Sequence, residues 1–170
     1  MTDERMGDDL WAALGALPRG SGIIFRHYSL PKAARRDLFE KVARYARRNR
    51  HVLIIAGQPV GRAAGCHGHA IHRTPGIKTV PVHSVRERIA AERMGASLIF
   101  VSPVFATRSH PDTKPLGRVR FGLLIRGAKY PVIALGGMTA RKARSLKLFG
   151  IHGWAAIDAF AGQKRTEVPT

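Results

Sequence analysis

The sequence predicts an α/β fold, and three observations lead there. Short apolar runs read as strands, amphipathic stretches separate them, and the two alternate regularly along 170 residues. The runs are almost continuously apolar, as expected of parallel strands covered on both faces. Regular β-α alternation leaves two architectures, a doubly wound sheet and a (β/α)8 barrel. Seven strands are legible, and residues 1–3 could be the stub of an eighth. A barrel of this length is compact, because the class usually begins near about 200 residues.

The elements follow in order. Residues 8–17 form a short helix closed by Pro18 and Gly20, and GIIFR (22–26) is a strand. Pro31 opens a long basic helix, 31–50, at a position that tolerates its missing N–H. HVLIIA (51–56) is the next strand. The Gly-rich connection 57–65 has room for a turn or two of helix at most, and 66–71 is a short strand. Residues 77–82 form a strand, and Ser84 caps a helix that runs to Met94 and stops at Gly95. SLIFVS (97–102) is a strand that empties into a long polar loop, 103–117. A helix over 118–129, the strand PVIAL (131–135), the Gly136-Gly137 turn, a helix over 139–149 and a strand over 153–157 complete the pattern. One domain is expected over 1–162, with a frayed tail at 163–170.

Composition narrows the setting. A hydrophobic fraction of 45% can supply a sizeable core. No apolar run approaches the roughly 18 residues that a membrane span requires. The polar, acidic start does not read as a secretory signal. Lone Cys66 excludes an internal disulfide and points to a reducing, cytoplasmic setting. The formal charge of +18 includes a basic stretch at 32–50, where Leu38, Phe39, Val42 and Tyr45 recur at helical spacing. Arg35, Arg36, Arg44, Arg47 and Arg48 are expected to cover the remaining, solvated surface of that helix. No aromatic residues interleave with them to stack bases, so nucleic acid is not the expected partner.

In either architecture ligands bind beyond the C-terminal ends of the strands. Arg26, His67, His83 and Asp158 fall there, as do two stronger signals. Gly136 and Gly137 would let backbone approach an anion, and the helix opened by Thr139 points its N–H groups the same way. Thr107, Arg108, Ser109 and His110 concentrate hydroxyls and positive charge in the long loop. Cys66, His67, His69 and His72 are a dense set of soft-metal ligands, with His67 and His69 on one face of a strand. Their spacing matches no well-known zinc motif, and packing or turn roles are the preferred reading.

Several of these segments resemble one family. Ser102-Pro103-Val104-Phe105-Ala106-Thr107 is similar to the Gly-Pro-Val-Phe-Pro-Thr loop of thiamine phosphate synthases. Pro131-Val132-Ile133-Ala134-Leu135-Gly136-Gly137-Met138-Thr139 resembles their Pro-Val-hydrophobic-Ala-Ile-Gly-Gly-Ile-Thr segment. Val80 to Ser84 resembles Val-Ser-x-His-Ser, Gly65-Cys66-His67 resembles Gly-Val-His, and Thr2-Asp3 resembles the end of the family's first strand. The resemblance is specific over about 77–160. It implies a (β/α)8 barrel with a truncated first strand. It also implies an enzyme that joins an aminopyrimidine pyrophosphate to a thiazole phosphate, releasing pyrophosphate with Mg2+. Carried across, Gly136 and Gly137 would hold the thiazole phosphate, Thr107 and Ser109 its oxygens, and Arg26 would match a strand arginine. A sister branch that aromatises a thiazole tautomer has a catalytic His where this chain has Pro103.

The chain departs from the family at several positions. The Asn-Asp whose Asp binds Mg2+ is Ala56-Gly57 here, and the second metal Asp is not evident near His69 to His72. The Gln and Lys flanking the strand arginine are Ile24 and Tyr28, the loop Lys is His110, a pyrophosphate-binding Ser is Pro81, and a Ser beside the phosphate is Asp158. A phosphorylated small molecule is therefore the expected ligand, with coupling chemistry and its Mg2+ site reduced. The short first strand calls for a partner copy or a longer start to complete the wall, and a longer start is preferred.

Overall fold

Residues 22–25 and 52–56 are long enough, and apolar enough, to form two buried parallel strands. The computed structural model describes residues 1–68, 75–107 and 113–157, in two compact units, Met1–Ala64 and Gly65–Ala156. In the first unit β1 (Gly22–Phe25) pairs in parallel with β2 (Val52–Ala56), Ile23 opposite Leu53 and Phe25 opposite Ile55. The expected stub at residues 1–3 lies beside β1. The Thr2 N–H donates to the Ile24 carbonyl at 2.9 Å, and Thr2 Oγ1 accepts from the Arg26 N–H at 3.0 Å. A side-chain oxygen thus fills the place of the next backbone acceptor in a parallel ladder. A 3-10 turn, Glu4–Met6, capped by Asp3, and α1 (Asp9–Gly15) follow.

The basic helix is α2 (Lys32–Arg48), with Pro31 as its N-cap residue. Its inward stripe is Arg35, Phe39, Val42 and Ala46, spaced by four, three and four residues. Phe39 and Val42 pack with Ile23, Phe25, Leu53 and Ile55. Burying each large apolar side chain contributes about 1.5–3 kcal/mol. That outweighs differences of a few tenths in helix propensity, so packing holds α2 in place. Arg35 corrects the expectation of a solvated arginine face: only 5% of it is exposed, whereas Arg36, Arg44, Arg47 and Arg48 are exposed.

The second unit contains β3 (Gly65–His67), β4 (Ile77–Val82), β5 (Leu98–Val101), β6 (Val132–Leu135) and β7 (Gly153–Ala155), each paired in parallel with the next. Strand order is chain order, with α3 (Val85–Arg93), α4 (Gly117–Ile125) and α5 (Ala140–Arg144) in the crossovers. Val80, Val82, Ile99, Val101, Val132 and Ala134 face these helices and pack with Ala91, Phe121, Leu124 and Leu146. Alternation puts His67, Thr79, Pro81, Phe100 and Ile133 on the opposite face.

Ser84 caps α3 as expected, its Oγ accepting from the Glu87 N–H, and Gly95 leaves that helix at φ +71°. Two helices are shorter than their patterns predict. The helix expected over 118–129 ends at Ile125, because Gly127 turns the chain at φ +73°. The helix expected over 139–149 divides into α5 and a 3-10 turn, Lys147–Phe149, stopped by Gly150 at φ +72°. The weak strand over 66–71 is seen as β3, and its residues beyond 68 lie outside the described ones.

Candidate functional site

The C-terminal ends of β5 and β6 meet in one backbone structure. The Val104 N–H donates to the Leu135 carbonyl at 2.9 Å and the Phe105 N–H to the Gly136 carbonyl at 3.1 Å. The loop after β5 therefore clasps the glycine turn after β6. Both glycines are at positive φ, +94° for Gly136 and +58° for Gly137. A Cβ on Gly136 would lie 2.7 Å from Pro103 Cα, and one on Gly137 would lie 2.2 Å from the Ala106 oxygen. The backbone that these glycines admit is the chain's own 103–106 loop. Thr107, half-buried, leaves this clasp at its outer end.

Sequence reasoning did not single out one cation at this turn. Lys142 folds back from α5 so that Nζ donates to the Gly137 carbonyl at 2.8 Å, 4.9 Å from the Phe105 ring centroid. Its spacing three residues after the cap Thr139 was the available signal, since that register returns a side chain to the start of a helix.

Two histidines have fixed orientations in the same unit. Thr79, fully buried, donates its hydroxyl to the Cys66 carbonyl at 3.2 Å, so its oxygen accepts from His67 Nδ1–H at 2.8 Å. His67 meets the Phe100 ring edge-on at 5.1 Å. His83 Nδ1 lies 2.7 Å from the Ser102 carbonyl, which can only accept, so Nδ1 carries the proton. The His83 N–H in turn donates to Glu87 Oε2 at 2.9 Å.

In the first unit Arg26 follows Ile24 on one face, and Nη1 lies 3.5 Å from Asp3 Oδ2. Burial works against a charge on Asp3, but hydrogen bonds and charge from Arg5, with Arg26 beyond, outweigh it and hold the carboxyl below its ordinary value. Arg35 is the group that sequence reasoning misplaced. Its guanidinium donates to the carbonyls of His27 (2.9 Å), Ala56 (2.6 Å), Arg26 (3.3 Å) and Gln58, tying together the ends of β1 and β2. The signal was in the sequence: Arg35 stands four residues before Phe39 on the buried stripe. Burial, with Arg35 and Arg26 nearby, pushes the His27 imidazole below its ordinary value, although Glu4 and Asp3 oppose this.

The end of β2 lacks the carboxylate that the family places there. Ala56 carries no carboxylate, and its carbonyl is taken by Arg35. The space beside Gly57 Cα is filled by the Tyr28 ring, 3.0 Å from where a Cβ would lie. Cys66 and His67, adjacent on β3, point to opposite faces. Among the described residues no group of three His, Cys, Asp or Glu is placed to hold a metal. Ser109, His110, Asp158, His69 and His72 lie outside the described residues. No described helix is long and apolar enough to cross a membrane.

Comparison with known proteins finds relatives in both sequence and fold. Residues 2–160 match the family model described as thiamine monophosphate synthase. The thiamine-phosphate synthase of Ruminiclostridium cellulolyticum is 34% identical over 88 residues, 52% of this chain and 42% of that protein. That of Pasteurella multocida is 35% identical over 100 residues, 57% of this chain and 42% of that protein. The matches span about two fifths of the length of these relatives. Among solved structures, thiamine phosphate pyrophosphorylase from Pyrococcus furiosus superposes with a TM-score of 0.79 at 22% identity, over 96% of this chain and 86% of that one. An N-acetylmannosamine-6-phosphate 2-epimerase from Clostridium perfringens shares the fold more distantly, with a TM-score of 0.52 at 12% identity, over 87% of this chain and 90% of that one.

Proposed function

Because the chain belongs to the thiamine monophosphate synthase family, we propose that it holds a thiazole phosphate at the β6–α5 turn and couples it to an aminopyrimidine pyrophosphate. The observation that carries this reading is the clasp of the 103–106 loop on Gly136 and Gly137. It fixes the backbone of the segment that most resembles the synthases, and Lys142 brings a cation to the same turn. In this reading Thr107, Ser109 and His110 contact phosphate oxygens from the loop. Arg26, in the first unit, is a candidate anion contact by its match to the family's strand arginine. His67 and His83, held by Thr79 and Ser102, would line the pocket within the second unit. The same reading takes the chain-order strands as those of a (β/α)8 barrel whose first wall begins at residues 1–3.

No step is assigned to Mg2+, since the family's ligand position at Ala56-Gly57 presents a guanidinium-bound carbonyl. That observation favours a second reading, in which the phosphate pocket persists without transfer. Incubating the protein with both substrates, with and without Mg2+, separates the two. Thiamine phosphate formation supports the synthase. Thermal stabilisation by thiazole phosphate without product supports the binder. Absence of both results removes the phosphate site altogether.

A further inference from the structure

The outward surface of α4 and of the turn after α5 has a feature that the proposed site does not use. Val119 and Leu123, four residues apart on one face of α4, are 74% and 63% exposed, and Leu148 is 91% exposed. A groove of about 670 Å³ opens here, lined by Val119, Gly122, Leu123, Arg126, Tyr130 and Phe149. Gly122 makes it possible: the Phe149 ring lies 2.5 Å from where a Cβ would be. A contiguous apolar surface of this kind, bordered by polar groups, marks an interaction site.

Its charge identifies the partner. Residues 113–157 carry nine Lys and Arg and no Asp or Glu. Arg118, Arg120, Arg126, Arg144 and Lys147 are all exposed on these elements. Glu92, which reaches the same corner from α3, is held by Arg88 at 2.7 Å and by the Lys129 N–H at 3.2 Å. We propose that this groove docks an acidic amphipathic segment of another protein, its apolar side chains between Leu123 and Phe149 and its carboxylates on the surrounding cations. A second copy of the chain would set like charges against each other. A nucleic acid would use the cations but leave Val119, Leu123 and Leu148 in water. A lipid leaflet gains nothing from a groove.

The test uses the full chain and two labelled probes, followed by fluorescence anisotropy. One is a helical peptide of about 18 residues with Leu at i, i+3, i+4 and i+7 and Glu elsewhere; the other is polyglutamate of equal charge. The amphipathic peptide is expected to bind at least about tenfold tighter than polyglutamate, an advantage that Leu123→Gln removes. Arg126→Gln should weaken both probes. Val119→Gln, at an exposed position that lines the groove, repeats the apolar test if Leu123→Gln disturbs folding. Equal affinity for the two probes, no binding of the peptide, or indifference to both the Leu123 and Val119 variants would overturn the proposal. So would Leu123-dependent binding to phosphatidylglycerol vesicles that the peptide cannot displace.

Discussion

Arg35 Nη2 donates to the Ala56 carbonyl at 2.6 Å, and this bond makes a residue of the basic helix part of the strand ends. With His27, Arg26 and Gln58 also accepting, the guanidinium organises the surface where β1 and β2 terminate. Removing a buried, hydrogen-bonded charged group leaves several carbonyls without a donor. Arg35→Ala should therefore lower unfolding free energy by about 3 kcal/mol or more. Arg35→Lys should recover little of it, since an ammonium cannot span the four acceptors. Urea denaturation measures both, and exposed Arg36→Ala should stay within about 0.5 kcal/mol of the parent.

The glycine turn predicts a graded series. Gly137→Ala places a Cβ 2.2 Å from the Ala106 oxygen at φ +58°, so both strain and clash apply. It should destabilise by more than about 2 kcal/mol and abolish stabilisation by thiazole phosphate. Gly117→Ala, at φ +67° with open space around its Cβ, incurs only the backbone strain. Its cost should be about 1 kcal/mol, with ligand response intact. Thermal unfolding with and without the ligand checks each variant; equal effects at the two positions would contradict the clasp.

Acid should loosen the first unit before it affects carboxylates. Burial holds His27 below its ordinary 6.5, and burial does the same to His51, against a hydrogen bond that its ring donates to the Ser21 carbonyl. The unfolded chain takes up protons near 6.5, while the native chain resists until lower pH. The stabilisation is therefore complete above 6.5 and is lost as pH falls through the native values. Asp3, held below 3.8, adds a second loss only as pH falls below that value. Denaturant midpoints measured between pH 7.5 and 5 should decline, and His27→Asn should flatten the slope.

Thr79 connects β3 to β4 through a side-chain relay. Thr79→Val keeps the shape but leaves His67 Nδ1 and the Cys66 carbonyl without their shared hydroxyl, at about 1–2 kcal/mol. Nitrogen NMR on the labelled imidazole should show the Nδ1–H tautomer in the parent and its loss of preference in the variant.

The sequence made the strands legible because most are nearly unbroken apolar runs between turn residues. Residues 77–82 coincide with β4, and the other strands differ only at their ends, apart from the one expected over 66–71, which runs beyond the described residues. The Ser84 cap and the glycine stop after α3 were equally readable, since both are local chemistry. Helix lengths were less so: Gly127 ended α4 before the 129 that spacing suggested, and the helix expected over 139–149 kept α-geometry only to Arg144. The clasp at Gly136 and Gly137 was visible as a motif, but not as packing between two loops distant in sequence. Arg35 was unreadable by charge alone, because a buried arginine is defined by carbonyls from two strand ends that only the fold brings together.

Strand order that follows chain order has a kinetic consequence. In the second unit each strand pairs with the next one in the chain, across a crossover of modest length. Among the described residues of this unit, each strand pairing joins neighbours in the chain. Contacts of low sequence separation require little loop closure before they form, so the unit can assemble stepwise from its N-terminal side as synthesis proceeds.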